Sequence, residues 1–221
     1  MKTKIINMKK IALLGLGLLF FVSCKKEAEA ETTEPSIVEN GINGTFEIDS
    51  TSTIAWIGSK PTGKHNGIIT VKNGEFKVES GKVKEGKFTI DMTSIVVEDL
   101  DGEDKESLEA HLKGTNKPEA VDHFFNIAKY PEASFTITSF MNEGGSDMVE
   151  GDLTIKDKTN KVKFPVSITE VDGVVTMTSP EFKINRTLWG VNYGSKSIFD
   201  DLGDKFIDDE ISLQINLKAK K

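Results

Sequence analysis

The sequence predicts an all-β, antiparallel domain of about eight strands with one short helical insert, and three observations predict it. Apolar and polar residues alternate with a period of two from about residue 44 to the C-terminus; turn signals separate the alternating runs; and one stretch, about 101–126, leaves that period for helical spacing. Strict alternation marks strands with one dry and one wet face. Parallel sheets are covered on both faces and do not read that way.

Residues 1–23 stand apart from the pattern. Lys2, Lys4, Lys9 and Lys10 precede an apolar run over 11–22, the basic-then-apolar order of a signal peptide. The run falls short of the ~20 residues that span a bilayer as a helix, and small Ser23 sits where cleavage is expected. Cys24 is the only cysteine, so no intramolecular disulfide is open to an exported chain. The stretch "FVSC" at 21–24 is similar to the lipobox of bacterial lipoproteins, which implies acylation of Cys24; a free thiol behind an ordinary signal peptide is the competing reading. Stable anchoring takes more than one acyl chain. Residues 24–43 carry too few large apolar side chains to build a core and read as a tether. Its start, "CKKEAEAE", resembles runs that in some bacteria direct lipoproteins to the outer face of the cell, and a plain solvated spacer explains it equally well. The remainder, 44–221, has the length of one domain.

The strands follow in order. "EFKVESG" sets Phe76 and Val78 against Lys77 and Glu79, and "KFTIDM" sets Phe88, Ile90 and Met92 against Lys87, Thr89 and Asp91. Val149, Gly151, Leu153 and Ile155 then oppose Glu150, Asp152, Thr154 and Lys156, while Val162, Phe164, Val166 and Ile168 oppose Lys161, Lys163, Pro165, Ser167 and Thr169. In the last strand Ile211, Leu213, Ile215 and Leu217 oppose Ser212, Gln214 and Asn216. Turn signals such as "KNGE", "KEGK", "NEGGSD" and "EVDG" fall between strands. The pattern fits a closed barrel or a two-sheet sandwich and does not separate them.

Within 101–126, Leu108 and Leu112 stand at i, i+4 among charges, and Pro118 sits at a plausible first helical turn. The spacing predicts that Val121, Phe124 and Phe125 lie along one helix flank as a lid or plug over one end of the sheet. Pro131 ends the insert before the strand "ASFTITSF".

Charge and motifs exclude several functions. The formal charge is −7, and because residues 1–23 hold four lysines and no acid, 24–221 carries −11; nucleic-acid binding calls for a basic surface instead. His65, His111 and His123 lack the spacing of zinc ligands. The acidic runs "EDLDGED" and "DDLGDKFIDDE", aligned with glycine at position six of a calcium loop, put Val97 and Ile198 where aspartate belongs, so no metal site is expected. No nucleophile elbow or phosphate loop occurs, and no reaction is expected.

The stretch that leads into the strand "ASFTITSF" has a more specific signature. "HLK" (His111, Leu112, Lys113) is followed by Phe124 and Phe125, by "KYP" (Lys129, Tyr130, Pro131) and by Phe135; "VEGDLTIKDKTNKVKFPVSI" at 149–168 and "FKINRTLWGVNYG" at 182–194 come after it. In this order the three segments resemble the YceI-like family of exported proteins, and the resemblance covers about 44–217. It implies a lipocalin-like antiparallel barrel whose interior takes up a long polyisoprenoid chain, a quinone or a polyprenyl carrier. An eight-stranded barrel is filled by its own side chains or holds one ligand. Each buried methylene-sized group contributes roughly 0.8 kcal/mol, so an isoprenoid tail would bind mainly by area.

The candidate ligand-binding residues are Trp56, Phe76, Phe88, Phe124, Phe125, Phe135, Phe164, Arg186 and Trp189. For each aromatic the competing reading is ordinary core packing, because large rings dominate any interior. Arg186 is the single arginine among 28 basic residues, which points to a site needing a planar, permanently charged fork: a carboxylate inside or at the rim of the barrel, or a ligand head group, with a chance surface arginine as the competing reading. The expected protein is thus an envelope lipoprotein on the periplasmic side or the outer surface. Acylated Cys24 would hold it to a membrane, and it would bind an isoprenoid lipid without cofactor or turnover. The rival is an interaction lipoprotein with a filled barrel and a protein partner.

Overall fold

The computed structural model describes residues 41–221; the expected signal peptide, Cys24 and the tether up to residue 40 lie outside the described residues. The elements run β1 (Gly44–Ile48), β2 (Thr53–Lys60), β3 (Gly63–Glu79), β4 (Lys82–Asp91), β5 (Val96–Val97), α1 (Gly102–Lys113), β6 (Glu132–Glu143), β7 (Ser146–Ile155), β8 (Lys158–Pro165), β9 (Ser167–Val171), β10 (Val174–Thr178), β11 (Phe182–Asn185) and β12 (Glu210–Lys220). All the strand pairs are antiparallel, in the order β8-β7-β6-β4-β3-β1-β12-β10-β9, with β2 between β3 and β12 and β11 beside β12.

These segments reduce to eight long strands. β12 pairs its N-terminal half with β2 and its C-terminal half with β1, so β1 and β2 are one strand interrupted at residues 49–52. On its other edge β12 pairs with β11 and then β10, one strand interrupted at 179–181, where Pro180 removes a donor. β8 pairs with β7 and β9 with β10, so the strand bent at Val166 closes the barrel. Buried serines carry the ladder across two of these breaks. The Ser52 hydroxyl bonds both the N–H and the C=O of Lys218, and the Ser179 hydroxyl accepts from the Ile215 N–H.

Closure is confined to one half of the barrel. At the other end β8 faces β11 with no ladder between them among the described residues. They meet through the stacked rings of Phe164 and Phe182, 4.5 Å apart, and through the Asn160 amide donating to the Leu188 carbonyl at 3.2 Å.

The closed end is packed solid. Phe46, Phe76, Val78, Val83, Val175 and Ala219 are each at most 1% exposed, and Phe46 stacks on Phe76. Ile42 belongs to this core, and its carbonyl accepts from the Gly81 N–H, so the packed domain takes in chain ahead of Gly44.

The insert departs from the expected helix. α1 ends at Gly114, whose φ of 72° is left-handed and where a Cβ would stand 2.3 Å from the Val121 carbonyl oxygen. Only one 3₁₀ turn, Pro118–Ala120, follows, and 121–126 is not helical. The reason lies in the end of α1: the N–H groups of Phe125 and Ile127 donate to the carbonyls of Leu112 and Lys113. The returning chain thereby satisfies carbonyls that a helix end leaves open. Val121, Phe124 and Phe125 accordingly share no helix flank. Among the described residues no helix is long and apolar enough to cross a membrane.

Candidate functional site

At the open end the inward side chains of the same strands do not meet. Ile54 and Trp56 of β2 and Ile211 and Leu213 of β12 are only half-buried although they point inward, and they border a cavity of about 390 Å³. Leu108, His111 and Leu112 of α1, with Phe124 and Phe125, roof it, and Arg186, Val191, Tyr193 and Ile207 close another side. Below it lies a narrower pocket of about 60 Å³ whose lining is wholly apolar. Ile54, Ile90, Leu153 and Leu213 line both spaces. A wide chamber with polar groups on its wall thus adjoins a small, wholly apolar pocket.

Arg186 fixes the segment that closes the chamber. Its side chain is 3% exposed, and the guanidinium donates to three backbone carbonyls: Nε to Asp208 at 3.0 Å, one terminal nitrogen to Val191 at 2.6 Å, the other to Ile207 at 3.0 Å. Asp209 lies 3.9 Å away. Burial pulls the guanidinium pKa down, and Asp209 and Asp208 oppose that. Burial also works against the Asp209 carboxylate, but hydrogen bonds from Ser195 and Ser197 and the Arg186 charge outweigh it and hold its pKa below the usual value. The fork geometry explains the lone arginine: three backbone carbonyls, each taking a different guanidinium nitrogen, suit a planar fork and not an ammonium.

A second cluster joins the lid to that segment. His111 Nε2 and His123 Nδ1 share a hydrogen bond of 2.9 Å, His123 stacks on Tyr193 at 4.1 Å, and Phe124 sits edge-on to His111 at 5.1 Å. Burial, and secondarily His123, lowers the His111 pKa. In this bond one ring donates and the other accepts, and two imidazolium rings would have no acceptor between them.

Of the residues singled out from sequence, Trp56, Phe124, Phe125 and Arg186 stand on the chamber wall, and Phe88, Phe135 and Phe164 on the narrow pocket. Phe76 and Trp189 are elsewhere in the core, Phe76 between the rings of Phe46 and Phe88. Trp189 is 1% exposed with its indole N–H donating to the Leu153 carbonyl at 2.9 Å. The reading missed Tyr193, His111 and Leu213. Leu213 had a signal, its inward phase on the last strand, whereas His111 and His123, twelve positions apart, meet only because the chain folds back after Gly114. Among the described residues, the charged side chains on the chamber wall are Lys60, Lys205 and Arg186, and no carboxylate contributes to it.

A family profile described as "YceI-like domain" matches residues 38–219. A curated relative, a UPF0312 protein of Shewanella denitrificans, is 30% identical over 91 residues, 41% of this chain and 42% of that one, so the aligned stretch spans less than half of the relative. Among solved structures, BcnA of Burkholderia cenocepacia matches with a TM-score of 0.58 at 22% identity, covering 78% of this chain and 100% of that one. A polyisoprenoid binding domain from Saccharophagus degradans, implicated in plant cell wall breakdown, matches with a TM-score of 0.54 at 10% identity, covering 81% and 99%. At those identities the structures attest the lipocalin-like barrel fold. The chain belongs to the YceI-like family.

Proposed function

We propose that this YceI-like chain is an exported lipoprotein that holds an isoprenoid-type lipid, a quinone or polyprenyl chain, in its barrel for transport, storage or protection, without turning it over. The observation that carries the reading is a mostly apolar chamber of about 390 Å³ that shares four wall residues with a pocket lined by apolar groups alone. Such walls suit a hydrocarbon chain, whose burial supplies roughly 0.8 kcal/mol per methylene-sized group. The relative from Saccharophagus degradans is named for polyisoprenoid binding, which supports the same ligand class here. Anchoring in the cell envelope, on the periplasmic side or the outer surface, is proposed to run through acylated Cys24 and the tether behind it.

Native mass spectrometry of the full chain purified from its host's envelope, followed by organic extraction, tests the proposal. We expect a discrete bound mass that yields an isoprenoid, and acyl chains on Cys24. A bare protein that also takes up neither quinones nor polyprenols would overturn the carrier reading in favour of a barrel acting through protein contacts.

A further inference from the structure

We infer that His65, held in one tautomer by Asp99, recognises the polar end of the ligand and selects a hydroxyl-bearing lipid, a prenol or a hydroquinone. The inference rests on the carrier reading above. His65 lines the chamber, and its Nδ1 stands 2.8 Å from one Asp99 carboxylate oxygen. The other oxygen accepts from the Asn66 N–H at 2.9 Å. Burial works against the Asp99 carboxylate, but these two bonds outweigh it and keep its pKa below the usual value. An ionised carboxylate has no hydrogen to give, so in the neutral ring the hydrogen sits on Nδ1 and Nε2 carries a lone pair.

The fold places that lone pair where a ligand reaches it. His65 on β3 pairs with Gly58 on β2, on the face that also carries Trp56 and Ile54. A Cβ on Gly58 would meet no atom within 4 Å, so the space beside the imidazole is open. The His65 side chain is 32% exposed, and Nε2 is accessible to solvent without a hydrogen-bond partner among the described residues. The neighbouring strand sets Asp99. β5 pairs with β3 at Gly67 and Ile68, and the Glu98 N–H donates to the Asn66 carbonyl at 2.9 Å, which leaves the next side chain beside His65. Ile54, which lines both spaces, is four residues from Gly58, so at about 3.3 Å per residue the ring stands roughly 13 Å along the strand from it. The polar contact belongs to the rim and the tail to the depth.

The other polar groups of the wall give this acceptor its selectivity. Lys60, Lys205 and Arg186 only donate, and Arg186 is committed to three backbone carbonyls. Lys60 follows Ser59, whose carbonyl accepts from the Asp208 N–H at 2.8 Å, so the closing segment brings Lys205 to the same rim. A hydroxyl suits this set in both directions: it gives its hydrogen to His65 Nε2 and its lone pairs to an ammonium. A carbonyl or an ether oxygen also accepts from the ammonium, but it faces the Nε2 lone pair with no hydrogen between them. The discrimination therefore lies in the histidine and not in the lysines.

The test uses the full chain and two matched pairs of isoprenoid probes delivered from cyclodextrin: geranylgeraniol against its methyl ether, and geranylgeranyl hydroquinone against its quinone, the second pair kept free of oxygen. The hydroxyl member of a pair should bind about three- to ten-fold more tightly and move the Nε2 ¹⁵N resonance of the neutral His65 ring, and the pair with the larger ratio identifies the source of the hydroxyl. With three histidines in the sequence, the signal lost in His65→Gln is that of His65. Asp99→Asn keeps an acceptor for the Asn66 N–H and turns an amide donor toward Nδ1, which moves the ring hydrogen to Nε2. The preference should then shrink to parity or reverse, a change that lost packing alone would not produce. Equal affinities within both pairs, or an unmoved His65 resonance, would overturn the inference while the carrier reading stands. If none of the probes binds the wild-type chain, the carrier reading falls, and this one with it. Should Asp99→Asn not fold, the wild-type pairs decide.

Discussion

The two ends of the barrel are built from the same strands to the same alternating rule and arrive at opposite results. β3 and β12 run through both. At the closed end their inward residues, Val78 and Ala219, are fully buried against Phe46, Phe76 and Val175; toward the open end Ile211 and Leu213 point the same way and remain half-exposed to a chamber. Alternation thus tells which way a side chain points and not whether anything meets it. Partial burial of an inward apolar residue is the local mark of a wall, and full burial the mark of packing.

The sharpest way to break this comparison is to truncate one residue at each end. Phe76→Ala should cost about 3–5 kcal/mol in urea denaturation, because it opens a cavity in close-packed surroundings. Leu213→Ala removes a side chain that already borders empty space and should cost less than about 2 kcal/mol. Equal losses would mean that the open end is packed and the chamber spurious.

Arg186→Lys comes next. An ammonium cannot span the carbonyls of Val191, Ile207 and Asp208, and losing the charged hydrogen bonds should destabilise by about 2–3 kcal/mol. Hydrogen exchange should quicken over residues 191–208 while the closed end keeps its protection. Uniform loosening of both ends would show that Arg186 supports the whole barrel and not its closing segment.

The smallest effect is expected from His111. Its folded-state pKa is lowered, first by burial and then by His123, so the unfolded chain binds a proton more readily than the folded one. Its contribution to stability is then complete above the ordinary imidazole value of about 6.5 and declines as pH falls below it through the lowered folded value. In thermal denaturation the advantage of the wild type over His111→Asn should shrink from pH 7.5 to pH 5. A constant gap would remove the histidine pair from the pH response.

Much of this architecture was legible because its causes are local. The inward phase of Phe76, Phe88, Phe164 and Leu217 follows from a period of two. The helix end at Gly114 also had a local signal, a glycine behind a lysine at the end of an amphipathic run, but the proline four residues on suggested continuation. What stayed hidden depends on chain that is remote in sequence. The singularity of Arg186 showed that a fork was needed and not that backbone carbonyls would fill it, since carbonyls leave no residue signature.

The unladdered contact between β8 and β11 gives the barrel a seam of side chains at one end. Parting β7 from β8 would break a ladder of eight paired positions. The seam beside β11 is held instead by the Phe164–Phe182 ring stack, by the Asn160–Leu188 hydrogen bond and by the buried Trp189 indole bonded to the Leu153 carbonyl, while the β9–β10 ladder runs on beneath it. The mouth is therefore held on this side by side chains and on every other side by continuous backbone ladder.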